Sequence, residues 1–298
     1  MNFTVGRTAF ALTLLAASLA APPLRAAEND WMARVGEALD KTGTEMQGGV
    51  YRVALPRSDI HARLDGAEIK PGLALGGWLA FQRHGESAMV MGDLVLLQDG
   101  ISPVMTKLEQ SGIAITALHN HLLRNEPFTM YMHVLGRGDP AALATALHGA
   151  LAASKTPLGA AAAPTQELGF DPAIIEGALE RKGKANGPIL GFSIPRAEPI
   201  TEGGMVVPEA MGSAIVINFQ STGGGKVATT GDFVLIAKEV NPVIAALRDH
   251  GIEVTALHNH MLTDEPRAFF MHFWANGDAE TVAKGLKAAL DNVAVAKG

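Results

Sequence analysis

The sequence predicts an α+β protein made of two tandem homologous domains, each a mainly antiparallel sheet with packed helices. Three observations predict this fold. The second half of the chain repeats the first. Each half shows strand-like and helical patterns in the order α-β-β-β-α-β-β-α, which is typical of helices packed on an antiparallel sheet. The chain has 298 residues and is 48% hydrophobic, which is enough to bury a sizeable core.

The repeat is the strongest of these observations. The segment 91–121, "MGDLVLLQDGISPVMTKLEQSGIAITALHNH", aligns without a gap with 230–260, "TGDFVLIAKEVNPVIAALRDHGIEVTALHNH". The tripeptides "LPR" at 55–57 and "IPR" at 194–196 match at the same spacing of 139 residues. A unit of about 125 residues is too long for a solenoid repeat, so we interpret it as a duplicated domain.

The elements of each repeat follow from periodicity. Apolar residues at helical spacing predict an opening helix that includes Trp31, Val35 and Leu39, with a counterpart around Ile175 and Leu179. Strands are expected near 49–55, 74–82 and 88–97, with counterparts near 189–194, 213–220 and 227–237.

Cap residues predict the two remaining helices. The pairs Ser102-Pro103 and Asn241-Pro242 predict a helix start, with a cap residue before a proline. Glycines at 112 and 251 predict where that helix ends. A closing helix is expected after Gly138-Asp139 and its counterpart at 277–278.

The chain divides into four predicted segments. Residues 1–27 are predicted to be a cleaved signal peptide, because Arg7 precedes the apolar run "AFALTLLAASLA" and small residues follow. Repeat domain 1 covers 28–153 and repeat domain 2 covers 169–298. The linker 154–168 is rich in alanine and proline. We therefore expect a bacterial protein in the periplasm or the medium, with its two repeats paired within one chain.

Composition narrows the class of partner. The chain has no cysteine, so we expect neither disulfides nor lipid attachment. Its net charge of −6 opposes nucleic-acid binding and suits metal ions or small molecules. After the signal segment, no stretch is apolar and long enough to span a membrane.

The chemistry is predicted to lie in the motif "ALHNH" and the strand that follows it. Alternation places His119 and His121 on one face of a strand, together with Ile113, Ile115 and Ala117. The next strand should bring His133 beside them, opposite either His119 or His121. The six histidines of the two triads are His119, His121, His133, His258, His260 and His272.

Each triad is predicted to bind a divalent transition metal, because converging neutral imidazoles suit such ions. Zinc is favoured, with iron, copper and nickel as alternatives. Glu126 and Glu265 recur in the hairpin loops, and we predict that they transfer protons or supply a further ligand. Alternatives remain in which the histidines line a metal-free cleft or form structural hydrogen bonds.

Two further pairs recur. Asp93 and Asp232 either line the same cavity or stabilise a turn, and we favour the turn. Arg57 and Arg196 are interpreted either as anion contacts or as solvated chain ends.

The doubled "LHNH" block, with the "GDLVLL" and "SPVMTKLEQSGI" segments before it, resembles the LppY/LpqO family of exported bacterial proteins. The resemblance covers essentially the whole mature chain. It implies a duplicated, exported protein, and it implies no particular reaction.

Three hypotheses for function follow. The protein is a metalloenzyme of unknown substrate, a periplasmic metal-sequestering protein without catalysis, or a metal-free module that binds a ligand or the cell envelope. The sequence leaves open whether the protein is an enzyme and whether the two triads meet at one interface.

Overall fold

The computed structural model describes residue 1, residues 24–159 and residues 166–296. Most of the predicted signal peptide falls on residues 2–23, which lie outside the described residues. So do residues 160–165 of the predicted linker. Within the described ranges, no helix is both long and apolar enough to cross a membrane.

Each repeat contains the predicted elements and a few short additions. The helices are α1 (Leu24–Ala38), α2 (Pro71–Ala74), α3 (Gln98–Gln110), α4 (Pro140–Ala152), α5 (Pro172–Leu179), α6 (Ala237–Asp249) and α7 (Ala279–Leu290), with a 3-10 helix at Glu209–Met211. The strands of the first repeat are β1 (Thr44–Met46), β2 (Val50–Pro56), β3 (Arg63–Leu64), β4 (Ala67–Glu68), β5 (Gly76–His84), β6 (Ser87–Leu97), β7 (Ala114–His119) and β8 (Thr129–Gly138). Those of the second are β9 (Lys184–Asn186), β10 (Ile189–Ile194), β11 (Thr201–Glu202), β12 (Met205–Val206), β13 (Ile215–Gly223), β14 (Lys226–Ile236), β15 (Glu253–His258), β16 (Asp264–Glu265) and β17 (Ala268–Asp278).

The two main sheets have the same topology. The first has six strands in the order β1-β2-β5-β6-β8-β7. The second has the order β15-β17-β14-β13-β10-β9, which is the same arrangement read from the opposite edge of the sheet. All neighbouring pairs within them are antiparallel. The predicted α+β fold with two homologous domains is confirmed.

Each sheet buries both of its faces. In β6, Leu94 and Leu96 pack with the helices of the first repeat. The alternate residues Met89 and Met91 belong to the core of the second repeat, and Val95 packs in a cluster with residues of both repeats. Since alternate side chains of a strand point to opposite faces, the two sheets lie face to face with helices outside. The resulting layers are helix, sheet, sheet, helix, in keeping with the predicted pairing of the repeats.

The helices α3 and α6 begin earlier than the sequence predicts. They start at Gln98 and Ala237, so Pro103 and Pro242 lie inside the helices and not at their first position. The chain passes from β6 or β14 into the helix without a loop, which leaves no separate residue to serve as the expected cap. The ends near Gly112 and Gly251 are as predicted, because both glycines have a positive φ.

The start of the closing helix is confirmed in both repeats. The Asp139 side chain accepts a hydrogen bond from the Ala142 amide, and that of Asp278 accepts one from the Thr281 amide. Each aspartate therefore acts as an N-cap, which satisfies an amide that the helix itself leaves unpaired.

Arg57 and Arg196 are not solvated chain ends, and each contacts a carboxylate of the protein itself, Asp59 or Glu239. Both side chains are buried, and each donates a hydrogen bond to a strand carbonyl of its own repeat. Arg196 also pairs with the buried carboxylate of Glu239, with the closest N–O distance at 2.7 Å. This pair ties the end of β10 to the first turn of α6, because the Glu239 side chain also accepts from the Ile236 amide.

The Arg196–Glu239 pair generates a stability prediction. The substitution Glu239→Gln leaves the buried guanidinium without its counter-charge, and we expect the free energy of unfolding to fall by about 3–5 kcal/mol. Urea unfolding followed by circular dichroism measures the change. The control Glu280→Gln removes an exposed helix pair with Lys284 and should change stability by less than about 0.5 kcal/mol. Equal effects of the two substitutions would contradict the prediction.

The same pair predicts a pH dependence. Burial alone raises the pKa of Glu239, but hydrogen bonds from Arg196 and from two backbone amides outweigh it, and the folded-state pKa lies below its usual value. Such a group stabilises the protein above the unfolded pKa of about 4.3, and the contribution is lost as the pH falls through the folded pKa. We expect the stability difference between wild type and Glu239→Gln to shrink as the pH falls below about 5 and through the lowered folded-state pKa. A constant difference across that range would argue against this coupling.

Candidate metal centre

The six predicted histidines lie together between the two sheets. We call them the histidine cluster: His119, His121, His133, His258, His260 and His272. Rings of one repeat pack against rings of the other, with centroid distances of 3.5 Å for His119–His258, 3.7 Å for the tilted pair His121–His272 and 3.8 Å for His133–His260. The two triads therefore meet at one interface, the point that the sequence leaves open.

The contacts of the histidine cluster have an approximate two-fold symmetry. The contact between His121 and His272 is equivalent to that between His260 and His133 under the 139-residue offset of the repeat. His119 contacts its own counterpart, His258, so the approximate axis passes between these two rings. This is the pattern of an isologous interface, formed here within one chain.

The register of the histidine hairpin differs from the prediction. His133 pairs with Ala117, and His119 pairs with Tyr131. These pairs are centred on residue 125, and the predicted pairs are centred on Glu126 or Pro127. The parity is unchanged, so His133 still points to the face of His119 and His121.

A β-bulge changes which residues share a face with the histidines. The register of β7 against β8 shifts between Ile115 and Ala117. The extra residue in one strand moves the residues before the bulge to the opposite face. Ile113 and Ile115 therefore pack in the helix-side core. The prediction that they share the face of His119 and His121 is wrong for this reason.

The asparagine of each "HNH" motif joins the repeats. The Asn120 side-chain amide donates to the carbonyl of Thr255, and that of Asn259 donates to the carbonyl of Thr116. Thr255 Oγ1 in turn donates to the His121 carbonyl. Sequence reasoning missed this role, although the recurrence of the asparagine between the histidines was a signal that could have found it.

Two carboxyl groups complete the cluster. Asp93 and Asp232 lie within β6 and β14, directly opposite His133 and His272, so the favoured turn role is wrong. Oδ2 of Asp93 is 3.6 Å from Nε2 of His121, and Oδ2 of Asp232 is 3.2 Å from Nε2 of His260. These aspartates occupy the position beside the imidazoles where we predicted Glu126 and Glu265.

Glu126 and Glu265 are not brought into the cluster. Both side chains are exposed. The backbone of Glu126 pairs with Arg63, and that of Glu265 pairs with Thr201. Their proton-transfer role stays a prediction, without support from the geometry.

Burial makes the cluster electrostatically unusual. Burial lowers the pKa of His119 to about 4. It also lowers the pKa of His272 to about 3, and the charge of His119 contributes to that shift. It raises the pKa of Asp93 to about 8, which the charge of Arg52 opposes. The low dielectric of the interface disfavours the charged form of each group. Neutral imidazoles are the form that binds metal.

Many polar atoms of the cluster have no hydrogen-bond partner among the described residues. These buried atoms are Asp93 Oδ1, His119 Nε2, His121 Nε2, His133 Nε2, Asp232 Oδ1, His258 Nδ1 and His272 Nε2. Buried polar atoms in folded proteins nearly always have a partner. Their concentration in one place, all on imidazole or carboxylate groups, is the chemistry of a metal-ligand set.

The spacing of the ligand atoms fits metal ions. Groups of imidazole and carboxylate atoms lie within 4.8 Å of one another. Two of these groups share no residue and contain one aspartate each. They are Asp93 with His121 and His133, and Asp232 with His258, His260 and His272. A zinc ion about 2.0–2.2 Å from each ligand separates its ligands by comparable distances.

A cavity of about 900 Å³ opens onto the cluster. Both repeats contribute to its walls. Four histidines of the cluster and both aspartates line it: His121, His133, His260, His272, Asp93 and Asp232. The volume lies within the range of small-molecule sites, so a ligand of that size can reach the imidazoles.

The bridging asparagines generate a prediction. Replacing Asn259 with alanine removes its side-chain hydrogen bonds to the carbonyls of Thr116 and Met261, of which the first joins the two repeats. We expect a loss of about 1–3 kcal/mol in the free energy of unfolding. The control Asn292→Ala removes an exposed helix contact and should have little effect. Denaturant titration of both variants measures the difference, and a smaller loss for Asn259→Ala than for the control would contradict the bridging role.

Comparison with known proteins gives limited further information. No curated protein matched the chain. Among solved structures, a trimeric bacterial microcompartment shell protein, PduB, is 11% identical with a TM-score of 0.25, over 84% of this chain and 89% of that chain. EtuB from Clostridium kluyveri is 9% identical with a TM-score of 0.24, over the same shares of the two chains. Likenesses this weak carry no argument about fold or function.

A family model gives the clear match. It aligns with residues 33–153 and again with residues 173–292, the two repeats that contribute the two halves of the histidine cluster. The chain therefore belongs to the family described as Domain of Unknown Function (DUF1259).

Proposed function

We propose that this chain is an exported metalloprotein whose two repeats together hold divalent transition-metal ions that a small molecule reaches through the cavity. One observation carries the proposal. Seven buried nitrogen and oxygen atoms of the cluster lack hydrogen-bond partners among the described residues. A metal ion would satisfy such atoms on neutral imidazoles and carboxylates.

The donor set favours zinc. Imidazole and carboxylate are ligands of zinc in catalytic sites, and the chain has no thiolate to favour softer ions. Iron, copper and nickel also bind histidine-rich sets. The arrangement therefore supports a borderline divalent ion and opposes calcium or magnesium, which prefer oxygen ligands alone.

The proposal includes two ions per chain. The two groups that contain an aspartate share no residue, so both can be filled at the same time. Each takes its ligands from one repeat, as the sequence predicts, with aspartate in place of the predicted glutamate. His119 lies on the approximate axis and is available to either ion.

Access to the cavity favours a metalloenzyme over a storage site. Asp93, His121 and His133 supply three ligands and also line the cavity. Three protein ligands with an open position are typical of catalytic zinc, which lowers the pKa of bound water or polarises a substrate oxygen. A closed sequestration site would not need a cavity of this size.

Export is part of the proposal and rests on the sequence alone. Residues 1–27 have the pattern of a signal peptide. The resemblance of the "LHNH" blocks to the exported LppY/LpqO proteins supports the same location. Fractionation of the native bacterium, with mass spectrometry of the mature N-terminus, tests it.

Metal content is the decisive prediction. Untagged protein should contain two ions per chain, one for each of the aspartate-containing groups. Asp93→Asn with His133→Ala should lose one ion, and Asp232→Asn with His272→Ala should lose the other. Inductively coupled plasma mass spectrometry measures both. The control His84→Ala with His250→Ala removes two exposed histidines and should leave the content unchanged.

The alternatives give different results. Complete loss of metal in either double variant would indicate one shared ion. Bound ions that neither coordinate an added small molecule nor activate water would favour sequestration. No metal after incubation with zinc, iron, copper and nickel would refute the proposal and favour a metal-free ligand module. Glu126→Gln with Glu265→Gln should keep both ions, since neither side chain reaches the cluster.

A further inference from the structure

One arginine stands in the cavity without an acidic partner. Arg52 lies on β2, on the face of the first sheet that meets the second repeat. Its side chain is half-buried, and no carboxylate lies within 4.0 Å of it among the described residues.

The guanidinium is held in place from two sides. It lies over the ring of Trp78, 4.1 Å from the centroid, which is a favourable cation–π geometry. It also donates a hydrogen bond to the carbonyl of Ala210 in the second repeat. The turn at Gly212 packs closely against Trp78, since an added Cβ would lie 3.1 Å from the ring and would require a small displacement. The arginine is therefore preorganised.

The second repeat has no equivalent cation. The position of Arg52 is occupied by Gly191 under the offset that aligns the two "PR" motifs. Trp78 pairs with Asp93, and its place opposite Asp232 is taken by Val216. Two cations line the cavity among the described residues, Arg52 and Arg196. Arg196 is paired with Glu239, so Arg52 is the one of the two without a carboxylate partner, and it breaks the symmetry of the site.

The walls between Arg52 and the cluster are mainly apolar. They include Trp78, Ile200, Val207 and Val216, and two glutamates, Glu198 and Glu209, also line the cavity. A ligand that matches these walls has an apolar body, and one that matches Arg52 has an oxyanion able to accept two parallel hydrogen bonds.

We propose that the cavity binds a small organic acid, with its carboxylate on Arg52 and its apolar body along the wall that leads to the histidine cluster. This inference names the ligand class of the proposed metal centre and rests on the proposed function only for what happens at the cluster end. The charge is in place at neutral pH, because burial lowers the pKa of Arg52 only to about 10, with the charge of Asp93 opposing the shift.

Isothermal titration calorimetry with a matched pair of probes tests the inference. Hydrocinnamate carries a carboxylate on an apolar body, and hydrocinnamamide has the same shape without the charge. We expect zinc-loaded wild type to bind the acid about tenfold or more tightly than the amide, as a charged hydrogen-bonded pair would give. Arg52→Gln should remove most of this preference. Arg83→Gln, on an exposed arginine outside the cavity, should keep it.

A second variant keeps the test decisive. If Arg52→Gln does not fold, Arg52→Lys replaces it. That variant keeps the charge but loses the planar fork, so its preference should be intermediate. A preference that is unchanged in the Arg52 variants, or wild type that binds neither probe, overturns the inference.

Metal analysis of the same samples separates this inference from the proposed function. Protein that holds no metal, yet prefers the acid in an Arg52-dependent way, would refute the metal proposal and leave the ligand class standing. Protein that holds two ions but shows no Arg52 dependence would do the reverse.

Discussion

The structure depends on a polar region enclosed between two apolar sheet faces. Each repeat uses one face of its sheet for its own helices and presents the other to its twin. In the middle of that shared interface stand six imidazoles and two carboxyl groups. Polar groups in such a place cost free energy unless they find partners. The stacked rings, the bridging asparagines and the cavity all follow from how the two sheets meet around them.

Much of the fold could be predicted from local pattern. Alternation in the strands and the aspartate caps of α4 and α7 are short-range signals, and both are confirmed. The start of α3 was not predictable in this way, because a proline at the sixth helical position looks the same in sequence as one at the first. The β-bulge beside Ile115 also leaves no local signature, yet it moves the residues that precede it in the strand to the opposite face.

The histidines could be found because a rare residue type recurred in register. Asp93 and Asp232 recurred equally, but a short acidic residue after glycine has a common local explanation in a turn. Only the pairing of β6 with β8 places Asp93 beside His133. Contacts between the repeats could not be predicted for the same reason. The pairing of Asn120 with Thr255 spans 135 residues, and no local rule encodes it.

The approximate two-fold axis between His119 and His258 has a consequence for how such a site can change. In a dimer of identical subunits, every substitution near the axis occurs twice, and a bulky cation beside the cavity would face a second copy of itself. Two repeats fused in one chain are free of that constraint. Arg52 has Gly191 as its counterpart, so one half can specialise in holding a molecule while the other leaves the space for it. The tandem repeat thus combines a nearly symmetric set of histidines with an asymmetric cavity beside it.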